Sequence, residues 1–150
     1  MEALILLLLP LLPLATALAL VFFPEDRLDL FQNTTLTVMG ICLAGTLFLL
    51  ARFPVGGADY HFVSRFEWLP QLGISYQVGV DGIGMTLVLL LALVSTSGAF
   101  VSLWIRERVK EYMIFYLLLV ASIYGVFTSL DLFFLYLFYE MSVIPMYPLI

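Results

Sequence analysis

A chain of 150 residues that is 63% hydrophobic and 11% charged, with a mean hydropathy of +1.12, lacks the composition of a soluble domain, where about a quarter of residues are charged. Its net charge of −5 comes mainly from acids at segment ends and in connections, and six scattered Lys and Arg residues offer no surface for nucleic acid. A single cysteine, Cys42, and a single histidine, His61, exclude an internal disulfide or cysteine cluster and argue against a metal centre within the chain.

Uncharged runs cover residues 3–23, 30–51, 82–105 and 112–130, and a fifth run, 132–150, carries Glu140 as its one charge. At about 1.5 Å per helical residue, runs of this length match the ~30 Å hydrocarbon core of a bilayer. The expected fold is an all-α integral membrane protein, a multi-span bundle with five transmembrane helices in contact with lipid. Ala15-Thr16-Ala17 and Ala17-Leu18-Ala19 in the first run imitate a signal-peptide cleavage site. No Lys or Arg precedes that run, however, and it exceeds the roughly 7–15 residues of a signal core, so a retained helix is expected.

The connection over 52–81 has a pattern of its own. Phe62, Phe66 and Trp68 alternate with Arg65 and Glu67, and Ile74-Ser75-Tyr76-Gln77-Val78 alternates again. Pro70-Gln71-Leu72-Gly73 supplies turn chemistry between them, which predicts an amphipathic hairpin over about 60–80 on the outer membrane face rather than an irregular loop. Arg106, Arg108 and Lys110 crowd one short loop, with Arg27 on the same side, whereas the long connection carries only Arg52 and Arg65. The positive-inside rule then places the amino terminus outside and the 105–111 loop in the cytoplasm.

Asp81 and Asp131 each stand immediately before an apolar run, where a short carboxylate caps the free amides of a helix's first turn; ion binding is the alternative reading for Asp81. Trp68 and Trp104 fit interfacial anchors. Ser95, Gly98 and Ser102 on the third span, and Ser122, Gly125 and Ser129 on the fourth, form stripes of small residues. Close helix packing is their expected use, with a hydroxyl-lined hydrated path as the alternative.

Glu140 is the principal functional candidate. With Asp131 at the water interface, nine helical residues place Glu140 roughly 13 Å deep, where an ionisable side chain marks a proton or ion pathway. Helical spacing puts Tyr136 at i−4 and Tyr147 at i+7 on nearly the same face, with hydroxyls able to serve the carboxyl directly or through water. Pro145 and Pro148 lack amide protons and so free the carbonyls of Met141 and Ile144, which predicts a local kink beside a hydrated cavity. Burial favours a neutral carboxyl and a nearby cation an ionised one, so a moving cation would switch Glu140. No lysine or arginine falls within the five runs, and the last run ends without a polar flank, so the counter-charge is expected beyond Ile150. A structural glutamate bonded to a neighbouring helix is the plainer alternative.

The segment Asp131-Leu132-Phe133-Phe134 … Tyr139-Glu140-Met141-Ser142-Val143-Ile144-Pro145-Met146-Tyr147 resembles the fifth helix of the chain M subunits of proton-pumping NADH:quinone oxidoreductase, respiratory complex I. Val78-Gly79-Val80-Asp81-Gly82-Ile83 and Lys110-Glu111-Tyr112 match the same family in order and spacing, so that the resemblance covers roughly 66–150. It implies an antiporter-like subunit, of which this chain supplies the first part of one transmembrane domain, with Glu140 on the family's essential glutamate and a lysine partner on a later helix. Tyr139 stands where the family commonly has Trp, and Pro148 where a bulky apolar residue is usual. The resemblance further implies a bacterial inner-membrane location and neighbouring antiporter-like and other complex I subunits as partners. It implies protons as cargo and no cofactor in this chain, with NADH, flavin, iron–sulfur clusters and quinone held elsewhere in the complex. A subunit of a multisubunit cation/proton antiporter and a structural membrane scaffold are the competing functions.

Overall fold

The computed structural model describes residues 2–24, 26, 28–53 and 61–149. Its elements are α1 (Glu2–Leu20), α2 (Leu28–Arg52), β1 (His61–Leu69), β2 (Ile74–Val80), α3 (Gly82–Val101), α4 (Val109–Thr128) and α5 (Leu132–Leu149). Five helices thus stand on the five apolar runs, and α2, α3 and α4 are long and apolar enough to cross a membrane. Helix α1 ends at Leu20, three residues before its apolar run does, while α5 continues to Leu149. For α1 the cause is local: the chain tightens after Leu20, with the Phe22 and Phe23 amides bonding the Ala19 and Leu20 carbonyls at 3.2 Å, and Pro24 bars further helix.

The third span also stops short of its expected end at 105, passing at Ser102–Trp104 into a 3₁₀ turn. The Ser102 hydroxyl donates to the Gly98 carbonyl at 2.7 Å there. Below that turn the amide of Gln32, buried on α2, donates to the carbonyls of Leu103 and Ile105 at 3.2 and 3.0 Å. Two orphaned helix-end carbonyls are thereby satisfied from a neighbouring helix. A second such repair involves Cys42. Pro13 offers no amide to the Leu9 carbonyl, and the buried Cys42 thiol reaches that oxygen at 3.9 Å.

Helix α4 is central: Met113, Leu117 and Tyr124 are fully buried, and it packs against α1, α2, α3 and α5. The small-residue stripes are used for packing. Tyr116 of α4 donates its hydroxyl to the Ser95 carbonyl of α3, and Tyr112 shares a 2.9 Å bond with Ser102. A Cβ at Gly98 would lie 2.7 Å from the Tyr116 oxygen, and one at Gly125 would overlap the Phe138 ring of α5. Both glycines are places where only a missing side chain admits the neighbour.

Strands β1 and β2 form the expected hairpin, antiparallel, with Arg65 opposite Gln77 and Phe66 opposite Tyr76. Pro70–Leu72 makes a 3₁₀ turn, and Gly73 takes a φ of +71° to reverse the chain. The expected alternation of Phe62, Arg65, Phe66, Glu67 and Trp68 side chains lies outside the described residues, as does Arg27.

The hairpin and the basic loop lie at opposite ends of the bundle. Lys110 Nζ donates to the Phe23 carbonyl at 2.8 Å, joining the 21–24 turn to the start of α4. At the other end the Leu130 amide donates to the Gln77 carbonyl at 2.8 Å, and Val78 bridges Ser129, so the α4–α5 turn adds a short third edge to the hairpin. This pairing ends α4 at Thr128, two residues before its apolar run ends.

Candidate functional site

Glu140 sits midway along α5, and its side chain is exposed on the outer surface of the five-helix bundle. The helix presents two stripes of matching spacing. Phe134, Phe138, Ser142 and Pro145 turn inward, with Phe138, Ser142 and Pro145 buried. Tyr136, Glu140, Ile144 and Tyr147 turn outward, Tyr136 being 66% and Tyr147 85% exposed. Tyr136 and Tyr147 thus share the exposed face of α5 with Glu140. Among the described residues neither hydroxyl hydrogen-bonds the carboxylate directly.

Pro145 faces the bundle, and α5 continues as α-helix through both prolines to Leu149. Pro148 is exposed and, with Glu107, Arg108, Glu111, Tyr112 and Phe115, lines a cavity of about 310 Å³ at the basic-loop end. Ser142 donates to the Tyr139 carbonyl at 2.7 Å, bringing a hydroxyl into the same stretch of backbone.

The two aspartates act on amides. Asp81 Oδ1 accepts from Gly84 N at 2.7 Å and caps α3. Asp131 Oδ1 accepts from Phe133 N at 2.8 Å, while its Oδ2 accepts from Ser75 N at 3.2 Å. Capping was readable from position alone. The second bond crosses to the hairpin, and no local pattern announces it. Tyr76 of β2 lies beside the same helix, with its ring 5.0 Å from Phe134 and 6.1 Å from Phe138. Burial pushes its phenol up to about 12.

Among the described residues no group of three or more His, Cys, Asp or Glu side chains is placed to hold a metal ion.

Five apolar helices with a β-hairpin at one end, and a carboxylate midway along the last helix, define a multi-pass helical membrane protein. Its relatives narrow that class. The chain is 34% identical over 93% of its length to "NADH-quinone oxidoreductase subunit M" of Rickettsia prowazekii (strain Madrid E), covering 29% of that protein. It is 33% identical over 93% of its length to "NADH-ubiquinone oxidoreductase chain 4" of Marchantia polymorpha, covering 28%. It is also 28% identical over 91% of its length to "NAD(P)H-quinone oxidoreductase chain 4" of Gloeobacter violaceus (strain ATCC 29082 / PCC 7421), covering 26%. No protein-family model matches the chain. The chain belongs to the same family as these subunit M and chain 4 proteins and spans under a third of their length.

Proposed function

We propose that this chain is part of a proton-translocating membrane subunit of a NADH:quinone oxidoreductase, respiratory complex I, and that Glu140 takes up and releases the proton. The observation that carries the proposal is the placement of Glu140: the one charge of α5 stands midway along the helix, on the face that α4 and the hairpin leave uncovered. An isolated ionised carboxyl in hydrocarbon is costly, so it calls for a cationic or hydrogen-bonding partner. The remainder of an antiporter-like subunit, including its lysine, would supply that partner.

In this mechanism a nearby cation holds Glu140 ionised, and withdrawal of the cation makes the neutral carboxyl the stable form, so that opening the pair draws in a proton. Tyr136 and Tyr147 offer hydroxyls on the same face to water or to the carboxyl. Redox chemistry at NADH, flavin, iron–sulfur clusters and quinone belongs to other subunits, and this chain moves protons only. The chain lies in a bacterial inner membrane with the hairpin outside and the Arg106–Lys110 loop inside.

The test is Glu140→Gln in the complete complex, which keeps shape and hydrogen bonding but cannot ionise. Proton translocation in vesicles, at matched assembly, should fall to a small fraction of the parent value, with Glu140→Asp retaining part of it. Full pumping by the Gln variant would establish a scaffold in place of a translocating subunit.

A further inference from the structure

Asp131 is shared between two structural units. Its Oδ1 closes the first turn of α5 through the Phe133 amide, and its Oδ2 takes the Ser75 amide of β2. The flanking backbone binds the same strand, through Leu130 N to Gln77 O and the Val78–Ser129 bridge. Between these contacts Tyr76 sets its ring against Phe134 and Phe138. Residues 75–78 of the hairpin therefore grip the backbone, the carboxylate and two aromatic side chains of the segment that leads to Glu140.

We propose that Asp131 is a positioning residue for Glu140: by strapping the hairpin to the first turn of α5, it sets the depth and rotation at which the Glu140 carboxyl stands on the outward face. The proposal rests on the translocating role of Glu140 argued above. From Phe133 to Glu140 is about two turns of uninterrupted α-helix, so a displacement of the first turn is carried to position 140. Neutral polar contacts would also hold the hairpin. The carboxylate adds one acceptor oxygen for each unit, and charge-assisted bonds of this kind are roughly twice as strong as neutral ones.

Capping and strapping can be separated by substitution. Asp131→Asn keeps one oxygen for the Phe133 amide but turns an NH₂ group toward the Ser75 amide, donor against donor. Asp131→Ala removes both bonds. Both variants are to be measured in the complete complex at matched assembly, by proton translocation in vesicles and by the infrared C=O band of the Glu140 carboxyl, identified through its loss in Glu140→Gln. The Asn variant should shift that band and lower translocation by roughly tenfold, since ångström-scale misplacement of a reacting group costs up to about 10²-fold. Its thermal stability should fall by less than that of the Ala variant, which loses both bonds.

A parental band with parental translocation in Asp131→Asn would overturn the proposal, as would lost translocation with an unshifted band. A spin-label pair at Gln71 and position 140 reads placement without using the chemistry of Glu140. A displaced or broadened distance in the Asn background supports the strap even where Glu140→Gln pumps normally, an outcome that removes only the translocating role. An unchanged distance overturns the strap itself.

Discussion

Replacing Gly125 by alanine adds one methyl group at the tightest point between α4 and α5. The new Cβ would overlap the Phe138 ring, lying 2.7 Å from its Cδ2, where carbon contacts prefer about 3.5–4.0 Å. The ring must therefore withdraw by about 1 Å. Phe138 is buried and the Tyr76 ring stands 6.1 Å from it, so the displacement can go only toward the cavity of about 400 Å³ that Phe138 lines with Leu7, Leu11, Tyr76 and Phe134. Overpacking of this kind costs about 1–3 kcal/mol, offset by roughly 1 kcal/mol of improved helix propensity on replacing glycine. The expected net loss is up to about 2 kcal/mol, or about 1–3 kcal/mol relative to a helical Gly→Ala change without the clash. Gly40→Ala is the internal control: nothing lies within 4 Å of its added Cβ, so it should be neutral or stabilising. Thermal inactivation of the full chain in detergent, compared at one scan rate, measures the difference. Gly125→Ala/Phe138→Leu should recover most of the loss. Equal stability of the Gly125→Ala and Gly40→Ala variants would refute the close approach of α4 and α5.

Gln32→Leu strips two hydrogen bonds from the end of α3 and leaves the Leu103 and Ile105 carbonyls without their buried partner; a loss of about 1–3 kcal/mol in the same melt is expected. Tyr76→Phe keeps the ring against Phe134 and removes a buried hydroxyl that has no hydrogen-bond partner among the described residues, so it should not destabilise at neutral pH. The same variant should show a pH signature. An unfolded tyrosine ionises near 10, whereas folded Tyr76 holds its proton to about 12. The stability this provides is present below pH 10 and is lost as pH rises through 12, so Tyr76→Phe should gain on the parent across that window. A cysteine at position 108 should be labelled from the cytoplasmic side; labelling from outside alone would reverse the orientation of every helix.

Much of the fold was legible because membrane helices and hairpins follow from local rules. Four runs without charge and a fifth with only Glu140 located five helices, Pro70–Gly73 located the reversal, and Asp81 located the start of α3. The unreadable parts depend on distant pairing. Nothing near Gln32 indicates that its amide will close another helix some seventy residues away, and nothing near Cys42 indicates a carbonyl released by Pro13. The ends of α3 and α4 fell short of their apolar runs for the same reason: Ser102 folds back onto Gly98, and residues 129 and 130 leave the helix to pair with β2. Hydropathy reports which solvent a segment prefers, and it is silent on which backbone groups will be satisfied by which neighbour.

Helix α5 makes the point for the candidate site. In a soluble protein the inward stripe would be apolar and the outward stripe polar, and the sequence would show which face packs. Here the inward stripe is Phe134, Phe138, Ser142 and Pro145 and the outward one Tyr136, Glu140, Ile144 and Tyr147, nearly opposite each other and almost equal in hydrophobicity apart from one carboxylate. Lipid and protein interior are both apolar, so packing partners are chosen by shape, by the absence of a side chain at Gly125, and by the hydrogen bonds of Asp131. Glu140 breaks that symmetry. A face that met only lipid would leave its charge without a partner, whereas a face that meets the rest of the subunit can match it, which is why the side of α5 left uncovered by these five helices is the side on which the translocation chemistry is proposed.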